Sequence, residues 1–220
     1  CIDSWKVMLP DYEIIEWNES NFDIHVNRYV EEAYERKKWA FVADYTRLYA
    51  LYNHGGIYLD TDMEVFKSFD CFLGHSAFTG FESNDSVQAG VIAAEKGHKV
   101  IEAFLELYSN KTFINDNVLN LTTIVNIITD YFKDNGLKTN GKKQQINDVM
   151  IYPAVYFCPN TFGMIFGKVS SKSFTVHYYD GSWLDEKEKD SFKYKIGHWG
   201  GRVIRDLIGT DRYKKIRGIK

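Results

Sequence analysis

Two aspartates one residue apart, Asp60 and Asp62, have the residue types and the spacing that could bind a metal ion. They follow the short apolar run Ile57–Leu59, which predicts a strand. Side chains at positions i and i+2 of an extended segment point to the same side, so both carboxylates can reach one cation. Hard divalent cations are usually held by a few carboxylates together with substrate phosphates. The spacing therefore predicts a Mg²⁺ or Mn²⁺ site that binds a diphosphate, although such pairs also occur in solvated turns.

The segment before these carboxylates predicts a helix that ends at two glycines. From Lys38 to Asn53 the apolar residues recur at helical spacing. Gly55 and Gly56 follow, and glycine directly after a helix supplies its C-terminal cap and a sharp turn. Asp44 and Arg47 lie three residues apart, so they project from one face of the helix toward the end of the strand. Because the helix looks buried and a buried charge needs a partner, we expect this pair to bind a ligand hydroxyl or phosphate. The alternative is an exposed ion pair within the helix.

These segments together carry a family resemblance. The residues from Ala43 to Tyr52, followed by Gly55–Asp62, closely resemble the glycosyltransferase sugar-binding region that contains the Asp-x-Asp motif. Weaker similarity extends from Cys1–Trp5 through Pro10–Asn18 to His177–Trp183. The family includes bacterial capsular polysaccharide glycosyltransferases and the fungal initiating α-1,6-mannosyltransferase, and more distantly the glucosylating domain of large clostridial toxins. The resemblance implies a retaining, metal-dependent hexosyltransferase of capsule or exopolysaccharide synthesis.

The resemblance also implies roles for the residues near the motif. Asp60 and Asp62 would engage the metal and the ribose-diphosphate of a UDP- or GDP-hexose, and with Arg47 they would be the catalytic residues. Asp44 and Arg47 would hold hydroxyl groups of the donor hexose. The implied cofactor is Mn²⁺ or Mg²⁺, and the implied acceptor is a glycan or a lipid-linked glycan.

Three residues late in the chain complete the implied donor site. His177 would be the third metal ligand, although a lone histidine in a β-type run is also typical of a hydrogen-bonded core residue. Ser182 and Trp183 would belong to the loop that closes over the diphosphate. Trp183 also fits ordinary packing after a Gly-Ser turn.

A polar turn in the middle of the chain is predicted to face the acceptor. It contains Asn84, Asp85 and Gln88 and leads into an apolar strand of small residues. In enzymes of the family that this sequence resembles, the matching region faces the donor and the acceptor. A solvated loop without a ligand is an equally good interpretation, since loops are built from such residues.

Hydrophobic periodicity predicts alternating strands and helices. The predicted strands are Tyr12–Trp17, Ile57–Leu59, Ala77–Phe81, Gly90–Ala94, Met150–Phe157 and Ser173–Tyr179. The predicted helices are Val26–Glu35, Lys38–Asn53, Lys99–Ser109 and Leu121–Asp134. This alternation favours an α/β layer fold. The resemblance implies the GT-A architecture, a Rossmann-type single domain with a mixed sheet, and because the chain starts at Cys1 we expect it to lack the family's first strand.

Length and composition favour one domain. A chain of 220 residues with 45% hydrophobic residues suffices for one sizeable core, which we place at residues 1–198. A net charge of −3 argues against nucleic acid as a partner. Three widely separated cysteines, Cys1, Cys71 and Cys158, suit reduced thiols, so we expect a cytoplasmic protein.

Residues 199–220 form a basic segment with seven Lys or Arg residues and two Asp residues. Such a segment predicts either an amphipathic helix on an anionic membrane surface or a plain surface helix packed on the domain. The first alternative would place the protein at the inner face of the membrane, near a lipid-linked acceptor.

Two other functions are compatible with parts of the sequence. Aspartyl-nucleophile phosphatases also carry an Asp-x-Asp motif after a hydrophobic strand. That superfamily has Thr or Val where Glu64 stands here, together with a late acidic motif that this sequence lacks. The remaining alternative is a non-catalytic or inactive protein that binds a nucleotide sugar. In the family the first strand supports the nucleotide base, and we expect this chain to lack that strand.

Overall fold

The computed structural model describes residues 1–159 and 169–179. Its helices are α1 (Ile2–Met8), α2 (Arg28–Glu35), α3 (Trp39–His54), α4 (Lys99–Ser109), α5 (Ile124–Asp134) and α6 (Ala154–Phe157), with a short 3₁₀ helix at Asp70–Phe72. Its strands are β1 (Gly56–Leu59), β2 (Met63–Val65), β3 (Ala77–Gly80), β4 (Val91–Ala94), β5 (Ile114–Asn115), β6 (Val118–Leu119), β7 (Gln144–Ile146), β8 (Val149–Tyr152) and β9 (Thr175–His177). None of the helices in these ranges is long and apolar enough to cross a membrane.

Five strands form the central sheet in the order β1-β4-β3-β8-β7. Strands β3 and β8 run parallel, and the other neighbouring pairs are antiparallel. The predicted α/β class and mixed sheet are therefore confirmed, and the sheet is consistent with a GT-A-like domain. The Rossmann-type arrangement and the absence of a first strand stay predictions.

Both faces of the sheet are covered, because successive residues of a strand point to opposite sides. On β3, Ala77 joins an apolar cluster with α2, α3, α4 and α5, whereas Phe78 joins a second cluster on the other face. The second cluster contains Trp5 of α1 together with Phe69 and Phe157. The sheet is thus fixed between two apolar layers, and the end of β1 is held in place by both.

The predicted link between helix α3 and strand β1 is confirmed. The N–H of Gly55 donates to Leu51 O at 2.8 Å, which ends the helix. Gly55 has φ +72°, and a Cβ at this position would lie 2.7 Å from the backbone N of Lys96. Only glycine fits both the conformation and the space. The chain therefore turns sharply from α3 into β1, and Asp60 and Asp62 follow the strand as predicted.

Two predicted strands are wrong in whole or in part. Tyr12–Trp17 forms no strand, and the side chains of Ile14 and Ile15 are 41% and 52% exposed. An extended segment is stabilised as a strand only by pairing, and within the described ranges this segment pairs with no other strand. Met150–Phe157 is divided by Pro153: β8 ends at Tyr152 and helix α6 begins directly after the proline. Proline lacks a backbone N–H and suits the start of a helix.

Strands β2 and β9 form a separate two-stranded sheet, and the sequence does not predict this pairing. Strand β2 pairs with β9 in antiparallel register, with Met63 opposite His177 and Val65 opposite Thr175. Helix α1 supports it, since Trp5 Nε1 donates to Met63 O at 2.7 Å. The predicted strand Ser173–Tyr179 thus exists as the shorter β9, and its pairing carries His177 toward the end of β1. Residues 199–220 lie outside the described residues, so the division at residue 198 stays a prediction.

Candidate metal and donor-binding site

Asp60, Asp62 and His177 meet at the point where β1 passes into β2. One potential ligand atom from each side chain lies within 4.8 Å of the others. His177 Nε2 is 3.0 Å from Asp62 Oδ1 and 3.9 Å from Asp60 Oδ2. The cluster joins residues 115 positions apart, and it forms because the β2–β9 ladder places Met63 opposite His177. The structure therefore brings together the three residues predicted to bind a metal.

The turn that carries the two carboxylates depends on strand β4. The N–H of Asp60 donates to Gly90 O at 3.0 Å, and the N–H of Met63 donates to Asp60 O at 2.9 Å. A Cβ on Gly90 would lie 3.2 Å from Asp60 Oδ2 and 3.2 Å from Met63 Sδ. Gly90 therefore makes room for the Asp60 carboxylate. The sequence predicts Gly90 only as the start of a strand, because its approach to Asp60 is a long-range contact.

The two oxygens of Asp60 face different partners. Oδ1 accepts a hydrogen bond from the Tyr58 hydroxyl at 2.7 Å and lies 3.2 Å from Arg47 Nη1, whereas Oδ2 faces His177. The Arg47 guanidinium also lies 4.6 Å from the centroid of the Tyr58 ring. Outer partners of this kind fix the orientation of a carboxylate that binds a metal. Asp60 is thus held on one side and presents its other oxygen to the cluster.

Asp44 and Arg47 form a buried ion pair behind Asp60, with exposed fractions of 6% and 5%. Arg47 Nη2 donates to Asp44 Oδ1 at 2.8 Å, and Nη1 donates to Ala89 O at 2.9 Å. Asp44 Oδ2 accepts from the N–H of Ile124 at 3.3 Å. The structure therefore contains an ion pair within the helix, but a buried one, whereas the alternative offered from sequence was an exposed one. A contact of this pair with the donor hexose stays a prediction.

Burial and charge act in opposite directions on this pair. Burial raises the pKa of Asp44 from its usual 3.8 to about 6, although the Arg47 charge lowers it. Burial lowers the pKa of Arg47, but the charges of Asp60 and Asp44 outweigh this effect, so the pKa is raised. Both residues are therefore ionised at neutral pH, and Arg47 remains a permanent positive charge beside Asp60.

The cluster has ligand atoms that suit a divalent transition metal. Burial lowers the pKa of His177, but hydrogen bonds to Asp62 and Cys158 outweigh this effect and raise the pKa well above its usual value. The raised pKa favours the protonated imidazole. A metal would have to displace the proton on Nε2, because imidazole binds metal in its neutral form. Carboxylates suit Mg²⁺ and Mn²⁺, and imidazole is a ligand of several first-row transition metals. The residues present therefore fit a divalent cofactor, and the identity of the ion stays a prediction.

Two further residues contact the cluster and were not predicted as site residues. Glu82 follows β3, and its electrostatic partners include His177 and Asp60. Burial raises the pKa of this carboxyl, whereas His177 and a hydrogen bond to Tyr179 lower it. Tyr179 lies against His177, with ring centroids 4.0 Å apart. The only feature of the sequence that could have predicted Glu82 as a site residue is its place directly after a buried strand. No feature of the sequence predicts Tyr179 as a site residue.

The three residues predicted to face the acceptor lie in different environments. Asn84 and Asp85 are exposed at the loop after β3. Gln88 is 1% exposed, and its side chain bonds both peptide groups of Val91, with Nε2 donating to Val91 O and Val91 N–H donating to Oε1 at 2.9 Å each. Gln88 therefore fixes the entry into β4. The acceptor role of the three residues stays a prediction.

Ser182 and Trp183, predicted to lie in the loop over the diphosphate, are outside the described residues. Their roles stay predictions.

Comparison with known families supports the resemblance. Residues 1–79 match the family described as "Glycosyltransferase sugar-binding region containing DXD motif". The matched part contains Asp44, Arg47, Asp60 and Asp62, whereas His177 lies beyond it. The resemblance predicted from the sequence is therefore confirmed for the part of the chain that carries the Asp-x-Asp motif.

A curated relative is "Inositol phosphoceramide mannosyltransferase 3" of Schizosaccharomyces pombe (strain 972 / ATCC 24843). It is 28% identical over 106 residues, which are 44% of this chain and 28% of the relative. The similarity thus spans less than a third of the relative's length. No solved structure matches the chain significantly.

Proposed function

We propose that this protein is a metal-dependent retaining glycosyltransferase that moves a hexose from a nucleotide sugar to a glycan or lipid-linked acceptor. The observation that carries the proposal is the meeting of Asp60, Asp62 and His177 in a chain whose first 79 residues match a glycosyltransferase family. His177 lies beyond the matched residues, so its place in the cluster is support that the family match does not itself supply. Its presence beside the two carboxylates completes a set of side chains suited to a metal–diphosphate complex.

Each residue of the site has a definable task in this reaction. A bound divalent cation would neutralise the diphosphate leaving group as charge develops on it. Asp60, Asp62 and His177 would hold that cation, and Arg47 together with Tyr58 would keep the Asp60 carboxylate oriented. The proposed reaction needs no general base among the described residues, because a retaining transfer can proceed without one.

The printed name of the fungal relative supports finer proposals about donor and acceptor. It describes a mannosyltransferase, which favours mannose as the transferred hexose, and UDP and GDP remain the two proposed bases. The same name includes a phosphate-bearing lipid, which favours a lipid-linked acceptor. We extend the proposal to capsule or exopolysaccharide synthesis at the cytoplasmic face of the membrane, with residues 199–220 as the membrane-contacting segment.

The central test measures donor binding and donor turnover with and without Mn²⁺. A thermal-shift screen of UDP- and GDP-hexoses identifies the donor, because a true ligand raises the melting temperature by mass action. Hydrolysis or transfer of that donor is then followed with the wild type, Asp60→Asn and Asp62→Asn. We expect each substitution to lower metal-dependent turnover by at least about 100-fold, since a metal ligand is lost. Asp130→Asn, at an exposed position of α5 outside the predicted site, is the matched control for removing one carboxylate charge.

Two results would contradict the proposal in different ways. Wild-type turnover in Asp60→Asn or Asp62→Asn would remove the metal centre from the reaction. Metal-dependent donor binding without any hydrolysis or transfer, across a panel of lipid-linked and free glycan acceptors, would favour the non-catalytic donor-binding protein.

A further inference from the structure

Tyr179 has a backbone conformation that is rare for its residue type. Its φ of +53° lies in the left-handed region, directly after Tyr178 and the end of β9. The left-handed conformation is unfavourable for an L-residue, and it is uncommon for a bulky side chain. Such strain persists where the surroundings over-determine the conformation, and it is concentrated at functional sites. The contacts of Tyr179 show what the strained conformation achieves.

The left-handed turn folds the Tyr179 ring onto the imidazole of His177. The ring centroids are 4.0 Å apart, and the ring planes differ by 28°, so the two rings are stacked. In a continued strand, residues two positions apart are separated by about 6.6 Å, which is too far for this contact. The stacked ring covers one face of the imidazole and thereby restricts its rotation.

The hydroxyl of Tyr179 is tied to two other elements. It lies 2.8 Å from Sγ of Cys158, a buried residue directly after α6, and it hydrogen bonds the carboxyl group of Glu82, which follows β3. Cys158 also hydrogen bonds His177. The Tyr179 hydroxyl is therefore held by Cys158 and Glu82. One of these two residues, Cys158, also contacts the histidine that the Tyr179 ring covers.

The neighbouring tyrosine has the opposite arrangement. The hydroxyl of Tyr178 donates to Glu64 on β2, and its ring packs with the cluster of Phe66, Val169 and Val176. Its backbone N–H donates to Asp62 O at 3.1 Å, a bond that does not require the tyrosine side chain. Tyr178 therefore offers a control of the same residue type at the adjacent position.

We propose that Tyr179 is a positioning residue of the metal centre, which holds the imidazole of His177 in the plane that aims Nε2 at Asp60 and Asp62. Glu82 and Cys158 fix the Tyr179 hydroxyl, and the stacked ring transmits that constraint to the ligand. This inference rests on the proposed metal-dependent function. Outer partners that orient a metal-binding histidine typically change metal affinity 10- to 100-fold when removed.

The test measures Mn²⁺ affinity directly, through the electron paramagnetic resonance signal of free Mn²⁺ during titration. Tyr179→Phe keeps the stacked ring and removes the anchored hydroxyl, whereas Tyr179→Leu removes both. We expect Mn²⁺ affinity to fall about 3- to 10-fold for Tyr179→Phe and about 10- to 100-fold for Tyr179→Leu. Tyr178→Phe should bind Mn²⁺ like the wild type. The melting temperature without metal shows that each variant is folded.

A second measurement reports on the imidazole without any metal. The ring protons of His177 should be shifted upfield in nuclear magnetic resonance spectra by the stacked ring, and this shift should be kept in Tyr178→Phe and lost in Tyr179→Leu. Unchanged Mn²⁺ affinity in both Tyr179 variants, with weakened affinity in His177→Ala, would overturn the positioning role and leave the proposed function standing. Unchanged Mn²⁺ affinity in Asp60→Asn and Asp62→Asn would overturn the metal centre itself, and the positioning role with it.

Discussion

The two sides of the candidate metal centre are built differently. On the carboxylate side, which we define as Asp44, Arg47, Asp60 and Asp62, a buried ion pair backs one ligand, and helix α3, a turn and strand β1 follow each other directly along the chain. On the histidine side, which we define as Cys158, His177 and Tyr179, a three-residue ladder and one strained tyrosine hold the ligand. The carboxylate side is therefore positioned by elements that are neighbours in the chain, whereas the histidine side is positioned by long-range strand pairing.

The largest expected effect is on folding and concerns the buried ion pair. Arg47→Met would leave the Asp44 carboxylate buried without its charged partner, which typically costs about 3–5 kcal/mol. We expect the free energy of unfolding, measured with urea, to fall by that amount. Arg28→Met is the matched control, because its ion pair with Glu32 lies at the surface with the arginine side chain 71% exposed. That control should lose less than about 1 kcal/mol.

A second substitution separates charge from shape at this pair. Adding Asp44→Asn to Arg47→Met should recover part of the lost stability, since the unpaired buried charge is then removed. If the double variant were no more stable than Arg47→Met, the carboxylate side would be held by packing instead of by its ion pair.

The histidine side should affect metal binding more than folding. His177→Ala removes one ligand of three, so we expect the Mn²⁺ concentration for half-maximal donor hydrolysis to rise about 10- to 100-fold with donor preference unchanged. His25→Ala, whose side chain is 65% exposed, is the control. A lowered melting temperature without metal, combined with an unchanged Mn²⁺ requirement, would instead make His177 a hydrogen-bonded core residue.

Gly90 tests how closely β4 must approach the carboxylate side. In Gly90→Ala the added methyl group would meet Asp60 Oδ2 and Met63 Sδ at 3.2 Å, so the carboxylate must shift. We expect Mn²⁺ affinity, measured by titration, to fall about fivefold to tenfold, with a loss of stability of about 1–3 kcal/mol. Gly74→Ala, where a Cβ meets no atom within 4 Å, is the control. Equal Mn²⁺ affinity in both variants would show that the turn tolerates this displacement.

A further expected effect is a pH dependence of stability from Asp44. Its pKa is raised from 3.8 to about 6 in the folded protein, so the folded state binds more protons than the unfolded state between these values. The associated stability is complete below about pH 4 and is lost as the pH rises through 6. The free energy of unfolding of the wild type, relative to Asp44→Asn, should therefore increase as the pH falls from 7 to 4. A constant difference across this range would mean that Asp44 titrates at its usual pKa.

Much of the carboxylate side could be predicted from the sequence because its determinants are close along the chain. Helical periodicity up to Asn53, the two glycines after it and the short apolar run before Asp60 define helix, turn and strand in order. The apolar residues of Tyr12–Trp17 also predict a strand, but this strand does not form, because a strand also needs a partner. The pattern of apolar residues thus predicted an element correctly only where another described strand or helix packs against it.

The family resemblance, the α/β class and the pair of carboxylates could be predicted from residue types at short spacing along the chain. The place of His177 beside that pair, of the Arg47 guanidinium beside Asp60, and of the Tyr179 hydroxyl beside Cys158 depends on tertiary contacts. The contact between Asp62 and His177 joins positions 115 residues apart. The geometry of these contacts depends on sheet register and on the left-handed turn at Tyr179, and neither leaves a periodic pattern in the sequence.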